Sequence, residues 1–345
     1  MPHPAESGKP RRLGLYLPFA LLLAAIVAWS GFWLWARSEL AHQLDTAAAS
    51  LGTQGYQVAW KDRRIGGYPF RMDVTLTDVR AREPSGWELQ ASRLEAEAPA
   101  YALGDWLIAA PDGVTFVRPK GGPVAVTGRL IRASLTHLAS RPPSFSFEGV
   151  DLAFRPAPGA RPFGLTAARR VEFHLRAGPD DQGGVFFSLD GGQAQLSGLF
   201  ARIAEGGPIS LSWNSTLSKM SAFTGRDWPD AVRRWADAGG LMSVRGAAVV
   251  AGDALLKADA GTLGVAPDGR LEGTLSVALR QAPKGLTAMA ETGLIPPDAA
   301  QAATTVARAD QGGGDLAHGA VHFQAGRTTF GPVSLGPAPK IYDPR

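Results

Sequence analysis

Hydrophobic and polar side chains alternate with a period of two in several segments of this 345-residue chain. The alternation is clearest at residues 70–77, 170–176, 209–217 and 271–280. Successive side chains of a β-strand point to opposite faces, so each segment predicts a strand with one apolar face. Antiparallel sheets show this alternation, whereas parallel strands covered on both faces have continuous apolar runs. The chain is therefore predicted to be mainly β, with large curved antiparallel sheet arranged as a β-sandwich or an open half-tube.

Glycine and proline separate the predicted strands. Turns are predicted at Pro111–Gly113, Lys120–Pro123, Asp190–Gly192 and Pro267–Gly269, because these residue types favour tight turns. The chain contains 42 glycines and 26 prolines. Both numbers exceed the usual shares of roughly 7% and 5%, and such a composition favours many short strands over long helices.

Helical patterns are few in the body of the chain. Pro229–Ala238 is predicted to be one helix, with proline at its first position and two glycines after its end. Lys284–Thr292 and Asp298–Asp310 are predicted to be a helical pair that flanks the sheet. The proline-rich stretch Arg155–Pro162 is a candidate junction between two lobes of the β-rich part.

One long apolar segment precedes the predicted strands. Residues 13–36 contain no charged side chain and would form a helix of about 36 Å, which is long enough to cross a hydrocarbon core of about 30 Å. Basic residues precede this segment closely and no basic excess follows it, so residues 1–12 are predicted to be cytoplasmic. Trp29, Trp33 and Trp35 lie near its far end, where they are expected at the level of the lipid headgroups.

A cleaved signal peptide is the alternative to an uncleaved anchor. Its apolar region would be roughly 7–15 residues long and would be followed by small residues. The segment here is longer, and the residues around Trp33 and Trp35 make a poor cleavage site. We therefore expect a single-pass protein of a bacterial inner membrane. Residues 37–52 are predicted to be a helical stalk, and residues 53–345 a periplasmic β-rich domain.

Composition and charge exclude several classes of protein. The chain contains no cysteine, so disulfides, thiolate metal sites and a cysteine nucleophile are absent. The pI is about 9.5, but the net charge is only +4. Residues 1–12 supply +2 of this charge, from Lys9, Arg11 and Arg12 against Glu6. The small remainder does not indicate a nucleic-acid partner.

The search for catalytic chemistry is mostly negative. His318 and His322 have a spacing that could place both on one face, but the three residues between them include no glutamate, so no metal site is predicted. The carboxylate pair at residues 180–181 lies in a predicted turn. Glu95 and Glu97 lie on the polar face of a predicted strand. The chain is predicted to be no enzyme and to use no cofactor.

The most distinctive segment is 63–71, with the sequence Arg-Arg-Ile-Gly-Gly-Tyr-Pro-Phe-Arg. It is interpreted as a strand that ends at Ile65, a Gly-Gly bend, and a second strand that begins at Pro69. Tyr68 and Phe70 are expected to hold the bend against the core. Because the bend combines arginines with aromatic residues, it could also contact lipid headgroups.

The chain resembles a family of alphaproteobacterial envelope proteins catalogued as domain of unknown function 2125. The resemblance depends on the anchor at residues 13–36, the Gly66–Arg71 motif, the helical pair at 285–310 and the closing segment Phe330–Pro337. Residues 261–273 also look like the repeated strands of the AsmA-like superfamily. The resemblance implies an inner-membrane protein that projects a curved sheet into the periplasm and handles phospholipid, and it supplies no catalytic residue.

Two functions are compatible with these observations. In the first, the apolar strand faces line a groove that binds lipid. In the second, a closed β core serves as a scaffold that binds other envelope proteins. A further interpretation of the same residues is an ordinary core beside solvated arginines. For the lipid hypothesis, the candidate contact residues are Arg64, Tyr68, Phe70, Arg71, Met72, Val74, Leu76, Leu211 and Trp213.

Overall fold

The structure is a computed structural model that describes residues 13–138, 140, 142–194, 199–225, 227–311 and 316–343. The predicted cytoplasmic segment 1–12 lies outside the described residues. The helices are α1 (Leu13–Thr53), α2 (Leu199–Ala204), α3 (Trp228–Asp237), α4 (Ala282–Glu291) and α5 (Pro297–Gln311), with a short 3-10 helix at Met220–Ala222.

The strands follow α1 and occupy about half of the described chain. In chain order they are β1 (Gln57–Ala59), β2 (Asp62–Gly66), β3 (Arg71–Arg82), β4 (Glu88–Pro99), β5 (Trp106–Ala109), β6 (Val114–Arg118), β7 (Gly122–Thr127), β8 (Leu130–Thr136), β9 (Ser144–Pro156), β10 (Leu165–Ala177), β11 (Gly183–Ala194), β12 (Ile209–Leu217), β13 (Met242–Ala251), β14 (Ala254–Val265), β15 (Leu271–Arg280), β16 (Ala317–Gln324), β17 (Arg327–Phe330) and β18 (Val333–Pro337).

The eighteen strands of the described residues form one antiparallel sheet. From β8 to β18, each strand pairs with the next one along the chain. Towards the N-terminus, β1 and β2 pair side by side with β3, and β4 pairs with both β5 and β6. The predicted antiparallel sheet is confirmed. It is a single layer, because the described part of the chain contains no second sheet packed against it.

Most of the predicted elements are confirmed. The four alternating segments lie in β3, β10, β12 and β15, except that Phe70 belongs to the bend before β3 and the strand begins at Arg71. The three predicted helices are α3, α4 and α5. Helix α3 begins after Asp227, whose carboxylate accepts a hydrogen bond of 2.9 Å from the backbone N–H of Asp230. This is the ordinary arrangement for an N-cap aspartate.

One predicted turn is wrong. Asp190–Gly192 lies inside β11 and forms a β-bulge, where the register against β12 shifts between Leu189 and Gly192. Gly191 adopts a positive φ of 59° there, a conformation that favours glycine without requiring the chain to reverse. The candidate junction at 155–162 lies between β9 and β10, which pair with each other from Phe145↔Leu175 to Ala153↔Ala167. The sheet therefore continues across that stretch.

The core is thin and lies along one face of the sheet. Helix α1 covers the β2–β4 end, and α4 and α5 cover the β14–β18 end. Between them, α2 packs on a cluster of the middle strands that includes Leu189, Ile209 and Ala251. The chain exposes 20577 Å², whereas a compact protein of 36.2 kDa exposes about 13,400 Å². Part of this excess comes from the projecting first half of α1. The rest is consistent with a single-layered sheet that is not closed upon itself.

Candidate functional site

The bend at residues 66–70 packs against the middle of α1. The indole N–H of Trp29 donates to the carbonyl of Pro69 at 2.8 Å, and the indole N–H of Trp33 donates to the carbonyl of Arg71 at 3.0 Å. Pro69 lies between β2 and β3, and Arg71 is the first residue of β3. Both carbonyls therefore lie at the edge of the strand pairing and accept hydrogen bonds from the helix. The two tryptophans therefore fix the sheet to a defined level of the helix.

The expectation that Tyr68 and Phe70 hold the bend against the core is corrected in part. Phe70 is 69% exposed and Tyr68 is also exposed. Tyr68 does contact the helix, since its ring packs edge-on against Trp33 at 5.5 Å and its hydroxyl lies 2.8 Å from the hydroxyl of Ser30. The groups that hold the bend are the indoles, because an indole N–H needs an acceptor and the bend offers free carbonyls.

Three candidate lipid contacts lie beneath or beside α1. Met72 and Val74 are buried in a cluster with Trp33 and Ala36 of the helix, and Leu76 packs at its border. A ligand could reach Met72 or Val74 only where the helix now packs. In this arrangement, these residues join the anchor to the sheet.

Further along α1, an ion pair also joins the helix to β2. Arg63 of β2 donates to both carboxylate oxygens of Asp45, at 2.7 and 3.0 Å, and to the carbonyl of Ala41 at 3.1 Å. The hydrogen bonds from the Arg63 guanidinium hold the pKa of Asp45 below its usual value. The pair thus favours the docked helix at neutral pH, although an exposed pair contributes little to stability.

Gly67 gives the bend its shape, and its replacement is a first test. Its φ is +97°, and a Cβ there would lie 2.7 Å from the carbonyl oxygen of Arg71. We expect Gly67→Ala to destabilise the domain by at least about 1–2 kcal/mol, the usual cost of a left-handed conformation. Gly66→Ala is the matched control, since Gly66 has open space around it. Thermal unfolding of both variants would show the difference, and equal midpoints would contradict the role of Gly67.

The two candidate arginines have different environments. Arg71 forms ion pairs with Glu97 at 3.1 Å and with Asp73 at 3.5 Å. Arg64 is exposed and has no carboxylate partner among the described residues. Arg64 is therefore the better placed of the two to meet an anionic group from outside the protein.

A continuous row of apolar residues crosses the sheet at right angles to the strands. Directly paired residues of an antiparallel sheet point to the same face, so the register defines the row. From one side of the sheet to the other it contains Ile65, Val74, Ala96, Ile108, Ala133, Phe147, Phe173, Phe187, Trp213, Ala247, Ala258, Val277 and Gly319. One face of the sheet is thus apolar along its whole width.

The two ends of this row are buried under helices, whereas its middle stays half-buried beside the cluster that includes Ile131 and Leu189. Ile65 and Val74 are buried under α1, and Ala258 and Val277 are buried under α4 and α5. The positions between them are only half-buried, from Ile108 in β5 to Trp213 in β12. We call these six residues the uncovered row: Ile108, Ala133, Phe147, Phe173, Phe187 and Trp213.

The structure separates the candidate residues into two groups. Arg64, Tyr68, Phe70, Arg71, Met72, Val74 and Leu76 lie on β2, the bend and β3, whereas Leu211 and Trp213 lie on β12. Leu211 and Trp213 share the apolar face with Val74, at the other side of the uncovered row. Sequence reasoning did not identify Phe147 and Phe187, although Phe145 and Phe147 alternate with serines.

The polar groups considered for catalysis have structural partners. Asp181 accepts hydrogen bonds from the backbone N–H and the hydroxyl of Ser221 at 2.7 and 2.8 Å, and these bonds lower the pKa of Asp181. His322 lies 3.0 Å from the Thr274 hydroxyl. Glu95 pairs with Arg93 at 3.4 Å. In the part of the chain that the structure describes, no three metal-ligating side chains come together.

Helix α1 is long and apolar enough to cross a membrane. Within residues 16–53, an 18-residue window has a mean hydropathy of 2.0, and only 6% of that window is buried. By length and composition, it is the one such helix among the described residues.

Comparison with known proteins identifies one relationship. A family model described as an uncharacterized protein conserved in bacteria, DUF2125, matches residues 33–339. No curated protein and no solved structure matches the chain. The match includes α1 from Trp33 onwards, the bend and all eighteen strands.

Proposed function

Since this chain belongs to the DUF2125 family of uncharacterized bacterial proteins, we propose that it is a membrane-anchored protein that binds lipid acyl chains on its sheet. The observation that carries the proposal is the uncovered row. Half-buried phenylalanines follow one another across neighbouring strands, on a face that no second sheet covers in the described residues. An apolar face left partly exposed across six strands is a surface on which an apolar partner can be buried.

The dimensions of the uncovered row suit an acyl chain. Neighbouring strands lie about 4.8 Å apart, so six strands span roughly 24 Å. One leaflet of the hydrocarbon core is roughly 15 Å thick. Each methylene that is kept out of water contributes about 0.8 kcal/mol. A chain that leaves the bilayer therefore needs a surface of comparable length, and the uncovered row provides one.

The apolar face begins beside the helix that leaves the membrane. Leu103, before β5, and Trp106, the first residue of β5, pack in the same cluster as Trp33 and Ala36 of α1. Ile108 is two residues further along β5 and is the first member of the uncovered row. Trp106 and Ile108 lie on the same face of β5, so the row adjoins the cluster at the helix.

The proposal includes the orientation and class of the protein. The anchor at residues 13–36 lies in the inner membrane, the basic residues before it face the cytoplasm, and the sheet extends into the periplasm. The protein acts by binding and not by catalysis. Lipid handling for maintenance of the envelope is the corresponding biological role.

Photocrosslinking in intact cells tests the proposal. A photoreactive phenylalanine analogue replaces Phe173 in the full chain, and the cells are irradiated before purification. We expect phospholipid adducts at this position, because the ring lies in the middle of the uncovered row. The same analogue at Arg176 is the matched control, since Arg176 is exposed on the polar face of the same strand. Mass spectrometry identifies the adduct.

Two outcomes would overturn the proposal. Lipid adducts at equal yield at both positions would indicate non-specific reaction with the membrane. A protein adduct at Phe173, without lipid, would instead favour a scaffold that binds another envelope protein through the same face.

A further inference from the structure

Exposed aromatic residues surround the point where α1 meets the sheet. Phe70 is 69% exposed and Tyr101 is 77% exposed. They are neighbours, because the backbone N–H of Ala100 donates to the carbonyl of Phe70 at 2.9 Å and both side chains line one open hollow of about 460 Å³. Together they form an exposed aromatic patch next to the helix, and such a patch marks a candidate contact surface more than a single exposed residue does.

The docking contacts fix how deeply these residues lie relative to the membrane. A span of about 20 residues, counted from Leu13 as the first residue of the uncharged segment, ends at Phe32. Trp29, which binds the carbonyl of Pro69, lies three residues before that end. At about 1.5 Å per residue, the bend is therefore level with the last turn of the span and not above it.

The side of α1 that does not face the sheet indicates the same depth in the membrane. Phe32, Leu34 and Trp35 are exposed on α1, while Trp33 and Ala36 face the sheet. Large apolar groups on the free side are expected to remain in lipid or at its interface. The interface then reaches at least to Trp35, which lies beyond both helix residues that hold the bend.

We infer that the bend at residues 66–70 and the adjoining Tyr101 insert into the interfacial layer of the same membrane that α1 crosses. Tyr68, Phe70 and Tyr101 enter the boundary between headgroups and acyl chains, as aromatic residues of interfacial proteins do. Arg71 is neutralised by Glu97, while Arg64 is free to meet a lipid phosphate. The domain thus contacts the bilayer directly and does not stand above it on a stalk.

This inference rests on the membrane-anchoring part of the proposed function and is independent of lipid binding by the uncovered row. It places the start of β5 at the membrane surface, where a lipid would enter. It also means that α1 cannot shift along the membrane normal without withdrawing the aromatic residues.

Depth-dependent fluorescence quenching tests the inference on the full chain. The natural chain has no cysteine, so single variants Phe70→Cys and Tyr101→Cys can be labelled with an environment-sensitive fluorophore. The proteins are reconstituted in vesicles of phosphatidylethanolamine and phosphatidylglycerol that contain spin-labelled lipid. We expect a blue-shifted emission at both positions, with stronger quenching by a spin label near the headgroup than by one near the end of the acyl chain.

Two control positions make the outcome decisive. Trp87→Cys lies in the turn between β3 and β4, about 40 Å from the bend along a strand of 12 residues, and should not be quenched. Leu22→Cys lies in the apolar half of α1 and should be quenched by the deep label. If the Leu22 position is quenched and the two bend positions match Trp87, the inference fails and the anchor remains. If the Leu22 position is not quenched, the anchoring itself is overturned.

Discussion

Replacement of Trp33 with alanine is expected to cost about 3–5 kcal/mol of folding stability, the usual range for a large aromatic residue in a core. Trp33 is only 5% exposed and packs on Met72, Val74 and Ala100. The variant also removes the hydrogen bond to the carbonyl of Arg71 and the edge-on contact with Tyr68. We expect the bend to separate from α1 and the sheet to lose one covered end.

Trp35→Ala is the matched control for this prediction. Trp35 is two residues further along the same helix but 61% exposed, so its loss should change stability by well under 1 kcal/mol when measured in detergent. Denaturant unfolding of the full chain, followed by the signal of the β-sheet, compares the two variants. If they unfold at the same denaturant concentration, α1 is an independent anchor that merely lies against the sheet.

Helix α1 therefore has two roles that its sequence does not separate. Its length and lack of charge predict a membrane span, and the three tryptophans predict an interface. In the structure, Trp29 and Trp33 are used to bind the bend, while Trp35 remains free. An indole N–H binds a headgroup or a protein carbonyl equally well. Which acceptor each indole uses depends on where the bend lies in space. The composition of the helix does not determine the position of the bend.

The sheet could be predicted to a larger extent. Period-two alternation identifies the strands, and short turns make neighbouring strands antiparallel. The continuity of the uncovered row could not be predicted, because it depends on register. At Asp151, φ is +53° and the alternation breaks. A Cβ added at Gly149 would lie 2.7 Å from the side chain of Leu152, so these two residues share a face. In a regular strand, residues three apart point to opposite faces.

The candidate site shows the same limit. The segment around Phe70 was identified because its residue types are unusual, and the structure places it at the helix. Phe147 and Phe187 were not identified, since each looks like one more core residue within its own strand. They become notable only as partners of Phe173 in adjacent strands. A site made by pairing across strands leaves no local motif.

A charge buried under α5, at the other end of the sheet, is expected to reduce folding stability about as much as the replacement of Trp33. Ala303 is fully buried, in the cluster formed by α4, α5 and the strands from β14 to β18. Ala303→Glu would place a carboxylate there without a partner, at a cost of several kcal/mol. We expect α5 to leave the sheet and to become a site of rapid proteolysis.

The matched control is Ala302→Glu, because Ala302 is the neighbouring residue of the same helix and is exposed. Both variants add the same charge, so a difference between them reports burial alone. Loss of α5 would uncover the apolar residues of β16 and β18 on which it packs, and the full chain should then bind more of an apolar dye. Equal proteolysis and equal dye binding would mean that α5 does not shield this end of the sheet, and its burial of Ala303 would then contribute little to the fold.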